Sequence, residues 1–513
     1  MQTRPIRFFH RGQIVEVSDV HPTKSVLEWL REDARCTGTK EGCAEGDCGA
    51  CTVVIGEPAA RAAATGTASA GATVVRGLSL RAVNACIQFL PTLDGKALFT
   101  VEDLAGPDGA PHPVQQAMVE CHGSQCGFCT PGFVMSMWSS YERHRACGTV
   151  PSRRELADEL SGNLCRCTGY RPILDAGRRM FELPAASLDT QPVLDALAAI
   201  APREALHYAA LHPHLPGTPV HEFFAPRSAD ELAALYEQRP GARLLAGCTD
   251  IGLWVNKQFR ELPELVYVGE ADDLRRIETR ADGSLSIGAA ASLEDAWSAI
   301  AQRHAALREV WLRFASLPIR NAGTMGGNVA NGSPIGDSAP VLLALDAQLV
   351  LRRGARVRRL ALADFYVDYM KNRLEPGEFV QAIELPPPAP ALAVRSYKIS
   401  KRYDCDISAL CAGFSLRLDG ERVAQVRLAF GGMAAIVKRA AQAEAAVAGR
   451  PWDEATLRAA QAALEHDFTP LTDLRASREY RADAARHLLE RFWLETRPAA
   501  PLRPEQLSVW AAA

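Results

Sequence analysis

Eight cysteines fall in two sets near the start of the chain, and their spacing leaves few folds open. The first set is Cys43, Cys48 and Cys51, with Cys86 further on. The second is Cys126 and Cys129, closed by Cys165 and Cys167. C-x4-C-x2-C followed by a distant cysteine is the spacing of plant-type [2Fe–2S] ferredoxins. Short spacings let one loop supply three thiolates, and the remote cysteine ties that loop to its domain. Such clusters are anionic, so backbone N–H groups must turn toward the sulfurs. Gly42, Gly46 and Gly49 suit that loop, because a residue without Cβ lets the main chain approach. Two complete sets predict two one-electron centres.

Structural zinc is the plain alternative for Cys126-x2-Cys129, but the pair Cys165-x-Cys167 is tighter than zinc ligand pairs usually are. Disulfides would need an oxidising compartment. Cys36, Cys121, Cys147, Cys248, Cys405 and Cys411 read as packing or incidental residues. Cys121 falls on an apolar helix face, and Cys36 is a rival ligand for the first cluster.

The 513 residues predict three or four domains. With 48% apolar and 23% charged residues and a net charge of -3, nothing points to nucleic acid or an anionic membrane. No apolar stretch is long enough to span a bilayer, and no secretory signal is visible at the N-terminus. The expectation is a cytoplasmic protein, whose thiols hold metal.

Residues 1–90 read as a β-rich unit. Ile6–Phe9 and Ile14–Val17 flank a turn, a helix covers Thr23–Arg31, and Thr52–Ile55 is a strand. Pro58–Ala72 is nearly all Ala, Gly, Thr and Ser, and reads as a mobile loop with nothing to pack. Residues 91–182 read as four helices. One spans Pro113–Cys121. The next is Pro131–His144, capped by Thr130. The third opens at the capping box Ser152–Glu155, and the last is Pro172–Phe181. The second cysteine set falls in loops at their ends. Residues 183–218 read as a linker. A mixed pattern follows over 219–394, and strands then Ala-rich helices fill 395–513.

A second kind of chemistry is written further down. Asn321–Asp337 is dense in Gly, Asn, Ser and Thr, and reads as a loop offering N–H donors to phosphate oxygens. Leu244–Ile251 places Gly247 and Thr249 before a helix, a second anion cradle. Neither is the G-x-G-x-x-G fingerprint. Each run alone is more often a mere turn. Together, downstream of two one-electron centres, they favour a dinucleotide such as FAD, which exchanges electrons singly or in pairs.

The runs GCAEGDCGACTVV, NACIQFLP, QCGFCTPGFVMSM, GNLCRCTGYRPI, LLAGCTDIG and RNAGTMGGNVANGSPIGD, in that order, resemble the xanthine dehydrogenase family of molybdenum hydroxylases. The resemblance spans roughly residues 5–500. It implies a multidomain α+β chain: a β-grasp ferredoxin-like domain, a four-helix [2Fe–2S] domain, a two-part FAD domain and a C-terminal α/β flavoprotein domain. It implies FAD contacts at Leu244, Leu245, Ala246, Gly247, Cys248, Thr249, Asp250 and Ile251. Further contacts fall on Phe314, Thr324, Met325, Gly326, Gly327, Asn328, Asp337, Val380 and Lys398. For NAD⁺ it implies Asp250, Ile335, Tyr403, Asp404 and the turn Phe430–Met433, although Tyr403 and Asp404 also read as ordinary loop residues.

The family's molybdopterin region has no counterpart in these 513 residues. The expected partner is therefore a molybdopterin-binding large subunit that hydroxylates hypoxanthine and xanthine, in a heteromer expected to be a dimer of heterodimers. Electrons would pass through the helical-domain cluster, the N-terminal cluster and FAD to NAD⁺, with no catalytic side chain on this chain. Rival readings are a hydroxylase of aldehydes or other N-heterocycles, a free-standing NADH diaphorase, and a zinc-held scaffold. The stretch 58–72 is longer than the family requires.

Overall fold

The computed structural model describes residues 2–59, 61, 73–106, 108–211 and 220–507. The expected loop 58–72 lies largely outside the described residues, as does the end of the expected linker.

The N-terminal unit is a six-stranded sheet. Its order is Gln13–Val17, Ile6–His10, Ala97–Phe99, Thr52–Pro58, Leu78–Asn84, Thr73–Val75. The expected hairpin forms, with Phe8 opposite Val15. Its inner strands Ala97–Phe99, Thr52–Pro58 and Leu78–Asn84 bury side chains on both faces, because successive side chains of a strand point to opposite sides. Phe8, Val53, Val83 and Leu98 enter one core, shared with Tyr208, Phe223 and Leu265 of the following sheet. Phe9, Val54, Ala82 and Phe99 enter the other, shared with the helical unit. The sheet is thus the middle layer of the molecule. Ser25 caps the helix through a capping box with Glu28, so it starts at Val26 rather than Thr23, and it continues as a π-type turn over Trp29–Asp33.

The helical unit contains Pro113–Glu120, Thr130–Cys147, Arg153–Glu159 and Arg171–Arg179. Ser152 makes the expected box with Glu155. Thr130 is not the cap; it is the first helical residue and Cys129 stands at the cap without a side-chain bond. Its hydroxyl instead lies 2.7 Å from Ser124 Oγ, across the cysteine loop.

Residues 183–218 are more than a linker. Gln191–Ile200 is a helix whose Val193, Leu197 and Ile200 join the core of the helical unit. Leu206–Ala210 is the antiparallel edge of the next sheet, pairing with His221–Ala225. That sheet continues in parallel through Glu264–Tyr267 to Arg243–Leu245. A five-stranded antiparallel sheet follows, built from residues between Ile277 and Leu385, in which Phe379–Leu385 is central. The last unit is a four-stranded antiparallel sheet from Ala393 to Arg439, with Ala441–Val447, Glu454–Asp467 and Arg478–Thr496 closing its core. The chain is multidomain α+β, and none of the helices described is long and apolar enough to cross a membrane.

Candidate functional site

The first four sulfurs come together. Cys43 shares hydrogen bonds with Cys48 and Cys86, and Cys51 with Cys86. Cys43 is held well below the usual thiol range by the thiols of Cys48 and Cys86 and by the N–H groups of Cys48 and Glu45. The Cys48 N–H donates to Cys43 Sγ at 3.4 Å. Main-chain donors aimed at a thiolate are what an anionic cluster needs. The loop earns this path through left-handed backbone at Ala44, Gly46 and Gly49. Gly42 acts differently: a Cβ there would stand 2.8 Å from Cys48 Sγ. Cys36 is buried beside His10 and Arg11 and lies outside the set.

The second four also meet, as two hydrogen-bonded pairs, Cys126 with Cys167 and Cys129 with Cys165. Burial, then Cys165, pushes Cys129 up to about 12. Burial also opposes ionisation of Cys165, but Thr168 and nearby N–H groups outweigh it and bring that thiol down. Thr168 Oγ1 lies 3.2 Å from Cys165 Sγ. Cys126 and Cys167 are exposed, as are Phe128 and Tyr170 beside them, whereas Cys51 and Cys86 are buried. Of the remaining cysteines, Cys121 is half-buried against the helical core and Cys147 is exposed.

The two loops are stitched together. The Leu164 N–H donates to Cys48 O at 3.0 Å, so one hydrogen bond separates a cysteine of the first set from the neighbour of Cys165. Asn163 donates to Gly49 O at 3.0 Å and to Thr52 Oγ1 at 3.2 Å, and accepts from Ser136 at 2.6 Å. A Cβ on Gly132 would strike the Gly49 carbonyl.

The first loop also touches the next domain. Asn256, ending the helix Ile251–Asn256, donates to Ala44 O (3.1 Å) and Cys86 O (2.8 Å), and Lys257 donates to Cys43 O. A Cβ on Gly46 would stand 2.9 Å from Ile319 Cδ1. Cys405, from the last domain, lies 3.5 Å from Asp47 Oδ1.

Leu244 and Leu245 lie in the strand Arg243–Leu245, and Ala246–Asp250 form the turn into Ile251–Asn256. Cys248 is left-handed (φ 61°) while Asp250 is right-handed, a local alternation that points successive N–H groups one way. Among the described residues no acceptor takes the N–H of Cys248, Thr249 or Asp250. This turn fits an anion such as a pyrophosphate. Burial pushes Cys248 up to about 12, so it stays a neutral thiol, and burial also raises Asp250.

Asn321–Asp337 is not an open loop. It contains the end of Leu317–Ala322 and the helix Met325–Asn331, capped by Thr324. The N–H groups of Met325, Gly326 and Gly327 go to Ala291 O, Ala289 O and Thr324 Oγ1. Gly247 lets its turn approach, since a Cβ would strike Ala322 O. Phe314, Met325 and Val380 belong to one buried core, and Asn328 lies on the same short helix as Met325. Asp337 and Lys398, distant in sequence, meet at 2.6 Å, and Ser408 donates to the other Asp337 oxygen at 2.6 Å. The residues considered for NAD⁺ fall in separate places. Gly432 donates to Pro334 O beside Ile335 (2.7 Å), whereas Phe430 is buried in the C-terminal core. Tyr403 accepts from Arg154 at 3.3 Å, and Arg313 covers its ring. Burial raises Asp404. No hydrogen bond or ion pair among the described residues joins Asp250 to them.

The sequence reading missed Asn163, Leu164, Asn256 and Ser408. The Asn-Leu before Cys165 was the one available signal for the first two.

Four family models match in order: a 2Fe-2S iron-sulfur cluster binding domain (8–87), a [2Fe-2S] binding domain (100–178), the FAD binding domain in molybdopterin dehydrogenase (219–388) and the CO dehydrogenase flavoprotein C-terminal domain (395–496). The chain is similar to the xanthine dehydrogenase of Drosophila pseudoobscura pseudoobscura, at 32% identity over 84% of this chain and 35% of that protein. It is similar at 30% identity to aldehyde oxidase 2 of Cavia porcellus, over 88% of this chain and 36% of the relative. It spans about a third of the length of these relatives. Among solved structures, a chain of carbon monoxide dehydrogenase from Hydrogenophaga pseudoflava aligns with TM-score 0.50 and 27% identity, over 53% of this chain and 95% of that one. Quinoline 2-oxidoreductase from Pseudomonas putida 86 gives TM-score 0.50 and 25% identity, over 55% and 99%. Two [2Fe–2S] domains followed by an FAD-binding domain fit the iron–sulfur/FAD subunit of molybdenum hydroxylases. Two [2Fe-2S] domains and an FAD-binding domain make the chain an iron–sulfur/FAD electron-transfer module.

Proposed function

We propose that this chain is the iron–sulfur/FAD small subunit of a xanthine dehydrogenase, working with a molybdopterin-binding partner that oxidises hypoxanthine and xanthine. The observation that carries the proposal is the contact chain from Cys165 through Leu164 to the Cys48 loop, and from that loop to Asn256 of the FAD-binding domain. Cys43, Cys48, Cys51 and Cys86 would hold one cluster, and Cys126, Cys129, Cys165 and Cys167 the other. Bound there, the clusters supply one-electron carriage and FAD supplies two-electron exchange with NAD⁺. The Cys248–Asp250 amides would hold the FAD pyrophosphate, while the Asp337–Lys398 pair ties the FAD-binding domain to the C-terminal domain. The exposed face of Cys126, Phe128, Cys167 and Tyr170 is the surface offered to the partner. The relatives named xanthine dehydrogenase favour a purine substrate over an aldehyde or a quinoline.

The test is purification of the chain from its host under native conditions. It should arrive with a molybdenum-containing partner, four irons and one FAD, and reduce NAD⁺ with xanthine. Activity on aldehydes with none on xanthine would replace the substrate. NADH-dependent dye reduction with no molybdenum protein attached would make it a diaphorase.

A further inference from the structure

Two buried imidazoles face each other across a domain boundary. His21 follows the first hairpin, and His221 opens the strand His221–Ala225. They are 8% and 4% exposed. His21 Nε2 lies 2.7 Å from His221 Nδ1, with ring centres 4.5 Å apart. Glu261, on the turn before Glu264–Tyr267, brings a carboxylate oxygen to 3.8 Å from His221 Nε2. One ligand atom from each of the three lies within 4.8 Å of the others. His21 Nδ1 lies 2.7 Å from Thr23 Oγ1, the kind of outer bond that orients a metal-binding histidine.

The segment carrying His21 is already seated. Tyr208 Oη lies 2.5 Å from Val20 O and accepts the Val20 N–H at 3.0 Å. The rings therefore meet on a fixed frame, and neither the clusters nor the flavin call on them.

We propose that His21, His221 and Glu261 form a site for a borderline divalent transition-metal ion, Zn²⁺, stapling the N-terminal iron–sulfur domain to the FAD-binding domain. Two nitrogens and one carboxylate oxygen are a three-ligand zinc set, with water in the fourth position. Nitrogen donors disfavour Mg²⁺ and Ca²⁺. Two nitrogens on one tetrahedral zinc stand about 3.3 Å apart, so the facing atoms part by about 0.6 Å, a small tilt of two rings. The ion takes the place of the proton that His21 Nε2 and His221 Nδ1 share, and the exposed Glu261 side chain swings from the Nε2 edge of His221 to reach it.

The test uses the protein loaded with iron and flavin, so that its cysteine sites are filled. It is dialysed against micromolar Zn²⁺ and zinc is counted per chain by elemental analysis. One zinc per chain and a raised Tm are expected. His21→Gln and His221→Gln should each abolish both effects while iron and flavin stay at the parent level. Glu261→Gln alters an exposed side chain; it should weaken zinc binding about tenfold or more while Tm without zinc stays at the parent level. Parent protein that takes up no zinc, or zinc equal in parent and all three variants, overturns the site.

Discussion

Asn163 holds three segments with one amide. It is 2% exposed, and its partners Gly49, Thr52 and Ser136 are 114, 111 and 27 positions away. Asn163→Leu keeps the volume but strands the Ser136 hydroxyl, whereas the Gly49 carbonyl keeps the Thr52 N–H and hydroxyl. At about 1–3 kcal/mol for a buried group left unpaired, the loss should be of that size. A denaturant midpoint equal to that of the parent would refute this account. A second substitution tests the ligands themselves. Cys165→Ser should lower iron from four to two per chain and stop electron flow from purine, yet leave NADH-to-dye activity at the flavin. Loss of both activities from a folded protein would disprove the proposed order of centres. The two cysteine sets were legible because a cluster writes its demand as spacing along the chain. Asn163 was not, because its bonds cross between segments that only the tertiary fold brings together.

Helices and turns were legible where caps are local and illegible where composition misleads. Ser152 with Glu155 marks a true start. Met325–Asn331 hid in a run of Gly and Asn, residues poor in helix propensity, and forms because Thr324 caps it and its first amides find carbonyls at 289 and 291. Thr324→Ala should therefore cost about 1 kcal/mol and loosen flavin retention, read as a lower Tm and faster FAD loss on dilution. The helix Thr130–Cys147 carries its own liability. Glu142 is 3% exposed, and burial pushes its carboxyl up to about 7. A group whose folded pKa lies above its unfolded value favours folding below the unfolded pKa, near 4.3, and loses that contribution as pH rises through 7. Glu142→Gln should therefore raise Tm at pH 8 and change it little at pH 4. An equal rise at both pH values would show that the carboxyl is not the cause.

At the scale of the whole molecule, the joint between the N-terminal sheet and the FAD-binding domain is ionic around a small cavity, roughly 100 Å³ in volume. Lys96, 5% exposed, lies 2.9 Å from Glu270 and 3.6 Å from Glu57. Arg275 adds a contact to Glu57 at 3.1 Å, and Arg61 one to Glu270 at 2.8 Å. None of this was readable in advance, since Glu57, Lys96 and Glu270 belong to strands and turns far apart in the chain. Arg61 even sits inside the stretch that reads as having nothing to pack. Burial pushes both carboxyls up, but the surrounding cations outweigh it and hold each below the usual range, Arg275 and Lys96 leading at Glu57 and Lys96 and Arg61 at Glu270. Their contribution is therefore complete above the unfolded pKa, near 4.3, and lost as pH falls through the depressed folded values. Lys96→Met removes a cation while keeping most of the stem's volume, leaving two buried carboxylates facing each other. The expected cost near neutral pH is about 3–5 kcal/mol, the cost of breaking a buried pair on one side. Without Lys96 the carboxylates ionise less readily, so acid relieves the variant before it harms the parent. The Tm gap between parent and variant should be widest at pH 7 and shrink toward pH 4. A gap that stays constant over that range would mean that Lys96 acts through packing of its stem, and that charge does not hold the two domains together.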